Sequence, residues 1–108
     1  MTTRFLCPDQ PFILAGTGIT DGAGNLTDGT NPYVKFSSTF QHAPSITVSF
    51  AYNTNTIHNM PAYNISAYAT TYFSGNAWEQ DWGATDGSSG GTVKNRTFYW
   101  IAIDGNAT

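Results

Sequence analysis

Charged side chains are scarce in this chain: Asp, Glu, Lys and Arg make up 10% of its 108 residues, against roughly a quarter in an average soluble domain. Lys and Arg number only four, they do not cluster, and the formal net charge is −3. Nucleic-acid binding depends on a basic surface that neutralises phosphates. The composition therefore argues against a nucleic-acid partner, and indicates that hydroxyl and amide side chains keep the protein in solution.

Cysteine and long apolar stretches are also missing. Cys7 is the only cysteine, which excludes an intrachain disulfide and argues against the disulfide-stapled class of small secreted domains. No apolar run approaches the length of a transmembrane helix, and residues 1–7 lack the apolar segment of a signal peptide. We therefore expect no membrane insertion. We expect synthesis in a cytoplasm, with any exit by another route, such as release of a virus particle.

Metal-ligand patterns are absent from the sequence. The only histidines, His42 and His58, show no ligand spacing. Asp21, Asn25 and Asp28 lie in a Gly-rich stretch, but the twelve-residue calcium loop with its closing Glu is not there. We read these carboxylates as turn residues, and predict neither a metal nor another cofactor.

Catalytic signatures are equally weak. The nucleophile pattern Gly-x-Ser-x-Gly does not occur. Glu79 and Asp81, two positions apart on a strand, meet the distance requirement for a glycosidase pair, but nothing in the sequence holds one of them protonated. The prediction is that the chain is not an enzyme.

What the sequence does contain is alternation with a period of two. Residues 45–52 place Ile46, Val48, Phe50 and Tyr52 on one face and small residues on the other. Residues 62–68 alternate in the same way, and no helical periodicity occurs. Short strands joined by turn-rich links predict an all-β antiparallel sandwich or barrel.

Residues 97–105 form the longest nearly unbroken apolar run, closed by a turn-forming Asp-Gly. In a strand, three side chains point to one side (Phe98, Trp100, Ala102) and three to the other (Tyr99, Ile101, Ile103). Both faces are therefore apolar. Either this strand runs through the middle of a two-layer sandwich, or its second face is covered by another chain.

The N-terminal third reads differently. Pro8 and Pro11 interrupt the apolar residues 5–15, which favours an edge strand or an arm over a central strand. Residues 16–32 contain two Asp-Gly pairs and an Asn-Pro, which are typical of loops. We predict that residues 1–32 are an arm and a Gly/Asp-rich loop, with docking on a neighbouring subunit as one role, and that residues 33–108 are the β-sandwich.

The order and spacing of the core positions resembles the H-type lectin domain. The resemblance is carried by Val34-x-Phe36, Phe40, Ala43-Pro44-x-Ile46-x-Val48, Ile65, Thr70-Thr-x-Phe73 and the run from Tyr99 to Gly105. It implies a six-stranded antiparallel β-sandwich, assembled as a parallel homotrimer, that binds N-acetylgalactosamine or similar sugars at the ends of the subunit interfaces. Related modules occur at the tips of bacteriophage tail fibres, a setting that suits the lone cysteine and the missing signal peptide.

The family's sugar-binding residues are only partly matched. Its Arg falls at Met60 or the proline after it, so that no Arg is present. Its Trp-His pair falls at Trp78 or Trp82, with the Trp kept and the His lost. Its acidic loop residue is matched by Asp21 or Asp28. The resemblance thus implies the fold more strongly than the sugar.

Residues 78–82, Trp-Glu-Gln-Asp-Trp, are the most specific candidate site. On a strand, Trp78 and Trp82 share one face, and Glu79 and Asp81 the other. An exposed Trp can stack on a pyranose while nearby carboxylates and amides bond its hydroxyls; the alternative is that both Trp side chains pack in the core or a trimer interface. The predicted carbohydrate site comprises Trp78, Glu79, Asp81, Trp82, Asp28 and the loop residues His58 and Asn59, which also have a plain solvated reading.

These observations predict a carbohydrate-binding, trimeric virion module that recognises a host receptor as part of a phage tail fibre or spike. Its partners would be a cell-surface glycan, further copies in a homotrimer, and other virion proteins, and its location the virion or, after release, the extracellular space. The alternative is a structural virion protein of the same fold, such as a collar, decoration or adaptor subunit, without sugar binding. A small hydrolase acting on surface polysaccharide is the least favoured reading.

Overall fold

A computed structural model describes residues 11–50, 59–81 and 90–106. These contain eight strands: β1 (Ile13–Thr20), β2 (Leu26–Thr27), β3 (Val34–Lys35), β4 (Ser45–Phe50), β5 (Asn59–Tyr68), β6 (Tyr72–Asp81), β7 (Gly90–Thr92) and β8 (Thr97–Ile103). The described residues include no helix, and so none that could span a membrane. The all-β prediction is confirmed; the resemblance implied six strands, whereas eight are present here.

The strands form two antiparallel sheets. The first has the order β2-β1-β8-β4, and the second the order β3-β6-β5, with β7 also paired to β6. β8 lies in the interior of its sheet, with β1 and β4 paired to its two edges. Phe98, Trp100 and Ala102 face the core, whereas Tyr99, Ile101 and Ile103 are exposed in the single chain. The first of the two readings of residues 97–105, burial inside a layered structure, therefore holds for one side of the strand, and covering of the other side by another chain stays a prediction.

One aromatic core joins the two sheets. Phe98, Trp100 and Ala102 of β8 are buried, and the ring centroid of Trp100 lies 5.6 Å from that of Phe73 on β6. Phe36 contacts both of these rings. Burying each such ring contributes about 1.5–3 kcal/mol relative to exposure, so these contacts are a main source of cohesion between the sheets.

Alternation predicted the facing of β4 correctly over its described residues; Tyr52, predicted on the same side, lies outside them. Ile46 and Val48 are buried, and their neighbours Ser45, Thr47 and Ser49 are exposed. The same alternation in β8 buries the side of Trp100 and exposes the opposite side. The period-2 pattern therefore identified the core side of β4, but in β8, where both sides are apolar, it identified only which side chains share a side.

The prediction of a loop over residues 16–32 is wrong for its first part, since β1 extends to Thr20 and pairs with β8. Gly16 and Gly18 are the register partners of Trp100 and Phe98. A Cβ at Gly16 would lie 2.8 Å from the Trp100 ring, and one at Gly18 would meet Phe98. These glycines make room for rings on the next strand, and do not mark a loop.

Residues 13–27 thus belong to the same sheet as β8. Residues 1–10 lie outside the described part of the chain, so docking of an N-terminal arm on a neighbouring subunit stays a prediction.

The hairpin of β5 and β6 forms the broadest part of the second sheet. Each strand has ten residues, and a tight turn in which the Ala69 N–H donates to the Tyr72 carbonyl (3.0 Å) connects them. The register shifts between Ile65 and Ala67, which marks a β-bulge. Gly75 opposes the bulge, where any Cβ would clash with the Asn64 carbonyl oxygen. This bulge fixes which side chains of the hairpin point outward.

Candidate functional site

The outer surface of the hairpin carries aromatic, amide and hydroxyl side chains, and we call it the β5–β6 face. On β6 the inward residues Phe73, Gly75 and Ala77 are buried, so the alternate residues point away from the core. The face consists of Tyr72, Ser74, Asn76 and Trp78 on β6 and Ala62, Asn64 and Ser66 on β5.

Trp78 is the most prominent residue of this face, with 43% of its surface exposed. Its register partners are Ala62 on β5 and Thr92 on β7. Both neighbours are short, so neither covers the indole. A large exposed aromatic ring on a rigid strand supplies an apolar platform with a polar N–H at its edge.

Two amide side chains lie beside this platform. Asn76 precedes Trp78 by two residues on the same side of β6, and Asn64 is its register partner on β5. Both are exposed. Each amide offers two N–H donors and one carbonyl acceptor, which matches the mixed donor and acceptor character of sugar hydroxyls.

Glu79 has a different environment from its neighbour Trp78. Its Oε2 lies 3.1 Å from Nη2 of Arg96, and both side chains are only 16% exposed. The two charges attract, although no hydrogen bond of good geometry reaches this oxygen from the described residues. Trp78 and Glu79 therefore lie on opposite sides of β6, as predicted, and we leave Glu79 out of the proposed site because its carboxylate is paired with Arg96.

Asp28 stabilises the turn between β2 and β3 through hydrogen bonds to its side chain. Its Oδ1 accepts from the backbone N–H groups of Thr30 (2.8 Å) and Asn31 (2.7 Å), and its Oδ2 from Asn31 Nδ2 (3.0 Å) and the Lys35 N–H (3.1 Å). Burial opposes ionisation, but these hydrogen bonds outweigh it and hold the pKa of Asp28 well below its usual range. Lys35 pairs with Tyr72, six positions from Trp78, so the structure does not bring Asp28 to the indole.

The remaining predicted residues are only partly placed. His58 and Trp82 lie outside the described residues. Asn59 and Asp81 are register partners at the ends of β5 and β6, three positions beyond the pair of Ala62 and Trp78. Their roles in sugar binding stay predictions.

Asn64 and Asn76 are site residues that sequence reasoning did not select. The alternation of residues 62–68 does put Asn64 on the polar side. Asn64 lies beside Asn76 because of the register in which β5 and β6 pair, including the bulge, and this register cannot be predicted from a local sequence pattern. Asn-x-Trp at positions 76–78 was the available signal, since these two residues share a strand face.

His42 and Asp104 form a second polar cluster, near the end of β8. The backbone N–H of His42 donates to Asp104 Oδ2 (3.0 Å), and its Nδ1 lies 3.1 Å from the same oxygen. Oδ1 accepts from the Asn106 N–H (3.0 Å). Asp104 is buried, so this cluster ties the bend before β4 to the end of β8, and its role is structural.

The outer surface of the first sheet is uncharged, with apolar side chains along β8 and β1 and small hydroxyl side chains on β4, and we call it the β1–β8–β4 face. Tyr99, Ile101 and Ile103 on β8 are 52%, 46% and 41% exposed, and Ile13 on β1, the partner of Ile103, is 47% exposed. The outward residues of β1, β4 and β8 include no charged side chain. Exposed apolar side chains that adjoin one another, as Ile13 and Ile103 do, are a feature of protein interaction surfaces.

No family model matches this chain, and no match was found among curated proteins or solved structures. The resemblance to the H-type lectin domain therefore stands on the core positions of the sequence alone.

Proposed function

We propose that this chain is a carbohydrate-binding module that binds sugar on the β5–β6 face. The observation that carries the proposal is the exposed Trp78 on a strand, beside the amides of Asn76 and Asn64. Sugar sites combine an apolar ring contact with a few fixed polar groups. This face has both, held by paired strands.

The proposed assembly is the parallel homotrimer of the H-type lectin domain. The uncharged β1–β8–β4 face supports it, because a sheet surface with exposed apolar side chains is suited to contact with a second copy of itself. The six-strand core of that domain is also part of the proposal: residues 33–108, where the sandwich was predicted, contain β3 to β8, and β1 and β2 extend the sheet of β8 beyond that prediction. Three shallow sites on one assembly would raise avidity without new contacts.

The proposed setting is a virion, with the module at the receptor-binding tip of a phage tail fibre or spike, next to other virion proteins. This part of the proposal depends on the family resemblance and on the composition, and the folded chain adds no separate support for it.

A glycan array tests the proposed activity. The wild-type protein is expected to bind a defined set of glycans, and Trp78→Ala to weaken that binding about tenfold or more. Tyr68→Ala is the matched control, because Tyr68 is 53% exposed at the end of β5 and pairs with the inward Phe73. An intact oligomer that binds no glycan, host surface or cell wall would contradict the proposal.

A structural virion subunit is the second candidate, and the β1–β8–β4 face favours it equally, since an assembly protein needs such a surface. Electron microscopy of the particle separates the two functions. A position at the tip supports receptor binding, and a position enclosed in the shaft or head supports the structural role.

A further inference from the structure

We propose that the β5–β6 face binds a linear neutral glycan laid along β6, with Trp78 at one end and the ring pair of Tyr72 and Tyr33 at the other. The inference rests on the proposed function and specifies its ligand: an oligosaccharide or polysaccharide segment, where the family resemblance implied a single sugar.

The two aromatic ends lie on the same side of the sheet. Tyr72 and Trp78 are both outward residues of β6, since Phe73 and Ala77 between them are buried. The ring of Tyr33 lies against that of Tyr72, with centroids 5.1 Å apart. Tyr72 and Trp78 are six positions apart on β6, which corresponds to roughly 20 Å along a strand. One pyranose ring is far too short to contact both ends, but a chain of several sugars reaches them.

The surface between the two ends is polar. It carries Ser74 and Asn76 on β6, and Ser66 and Asn64 on β5, where the Ser66 and Ser74 hydroxyls lie 3.2 Å apart. Amides and hydroxyls can donate and accept hydrogen bonds at successive sugar units. A polar surface with aromatic rings at both ends is suited to a ligand made of repeated sugar units.

Charge on the face selects a neutral ligand. Among the outward residues of β5 and β6 from the Ala62–Trp78 pair to Tyr72, none is acidic and none is basic. Charged residues adjoin the face on the other edge of β6. At the Tyr72 end they are Lys35, its register partner, and Asp28, whose carboxylate accepts from the Lys35 N–H (3.1 Å). Beside Asn76, its bridge partner Asn25 donates to the Asp21 carboxylate (3.1 Å). The face has no row of cations that could pair with the carboxylates of an acidic polysaccharide. A neutral chain of hexose or N-acetylhexosamine units does not need such ion pairs to bind.

Length dependence tests the inference. The full chain is titrated with neutral linear oligosaccharides, from disaccharide to hexasaccharide, of β1,4-linked glucose, α1,4-linked glucose and β1,4-linked N-acetylglucosamine. Affinity is expected to rise about tenfold or more from the shortest to the longest member of the series that binds. Tyr72→Ala should remove most of that gain, whereas Trp78→Ala should weaken every length. Tyr72→Phe, which keeps the ring, should retain the gain, and Tyr68→Ala serves as the control.

The outcomes separate the inference from the proposed function. Glycan binding that depends on Trp78 but is independent of chain length, or is unaffected by Tyr72→Ala, overturns the extended ligand and leaves carbohydrate binding intact. Binding confined to array glycans that present one terminal sugar does the same. If neither the array nor the oligosaccharides bind, both proposals fail together.

Discussion

At the level of single residues, adjacent side chains of β6 have opposite roles. Trp78 is exposed on the β5–β6 face, while Glu79 lies on the other side of the strand with Arg96 as its ionic partner. Removing one member of a partly buried pair leaves the other charge poorly compensated. We therefore expect loss of Glu79 to lower the stability of the fold, and loss of Trp78 to weaken the proposed sugar binding.

The Asp28 carboxylate gives the turn between β2 and β3 a pH-dependent stability. Because the folded-state pKa is depressed, the carboxylate stabilises the fold above the unfolded value of 3.8, and this contribution is lost as pH falls from there through the folded pKa. Asp28→Ala should lower the free energy of unfolding at neutral pH by about 2 kcal/mol, since the turn loses a charged acceptor. Denaturant unfolding over a pH series measures both effects. A variant whose stability below pH 3.8 declines as steeply as that of the wild type would show that Asp28 does not contribute in this way.

At the level of elements, the pairing of β1 with β8 depends on small residues opposite large ones. Phe98 and Trp100 occupy the space that side chains at Gly18 and Gly16 would take. The sheet thus packs the largest rings of β8 beside the positions of β1 that have no side chain.

Substitution of Gly18 tests this arrangement. A Cβ at Gly18 would meet the Phe98 ring and the Thr27 carbonyl oxygen, so Gly18→Ala should destabilise the protein by about 1–3 kcal/mol through overpacking. Gly22→Ala is the matched control, because a Cβ there has no heavy atom within 4 Å. Equal denaturant midpoints for the two variants would be inconsistent with the proposed packing.

Elements also show where sequence reasoning succeeds. The side chains of β4 could be assigned to core or surface because apolar and small polar residues alternate along it, whereas both sides of β8 are apolar and its sequence does not show which side faces the core. β1 was not predicted because its glycines leave space for the rings of Phe98 and Trp100, which lie about eighty residues away in the sequence. Asn64 and Asn76 were missed for a related reason: their pairing is set by strand register and by the bulge between Ile65 and Ala67, and neither is encoded in a local pattern.

At the level of the whole molecule, the two outer faces differ in chemistry. The β1–β8–β4 face is uncharged, with exposed Ile and Tyr side chains beside small hydroxyls, while the β5–β6 face mixes amides, hydroxyls and aromatic rings. One face is suited to contact between copies of the chain, and the other to a hydroxyl-rich ligand. The two sheets of the fold thus give the two proposed roles, assembly and recognition, separate surfaces.

A charge on the β1–β8–β4 face tests the proposed assembly. Ile101 is 46% exposed in the single chain, so Ile101→Lys should leave the monomer folded but dissociate a trimer formed through this face, because a buried unpaired charge is strongly unfavourable. Asn64→Lys, on the opposite face, is the control and should keep the oligomer. Sedimentation velocity gives the mass of each. A wild-type monomer, or an Ile101→Lys trimer, would contradict this interface.

The central claim is that sugar binds on the β5–β6 face around Trp78. Nuclear magnetic resonance of ¹⁵N-labelled protein, titrated with the glycan that binds most tightly on the array, tests it most directly. The account predicts that the Trp78 indole N–H and the side-chain amides of Asn64 and Asn76 shift on binding, that the buried Trp100 indole does not, and that Glu79→Ala, once its fold is verified, shows the same shifts. Shifts confined to Tyr99, Ile101 and the rest of the β1–β8–β4 face, with the Trp78 indole unchanged, would contradict it.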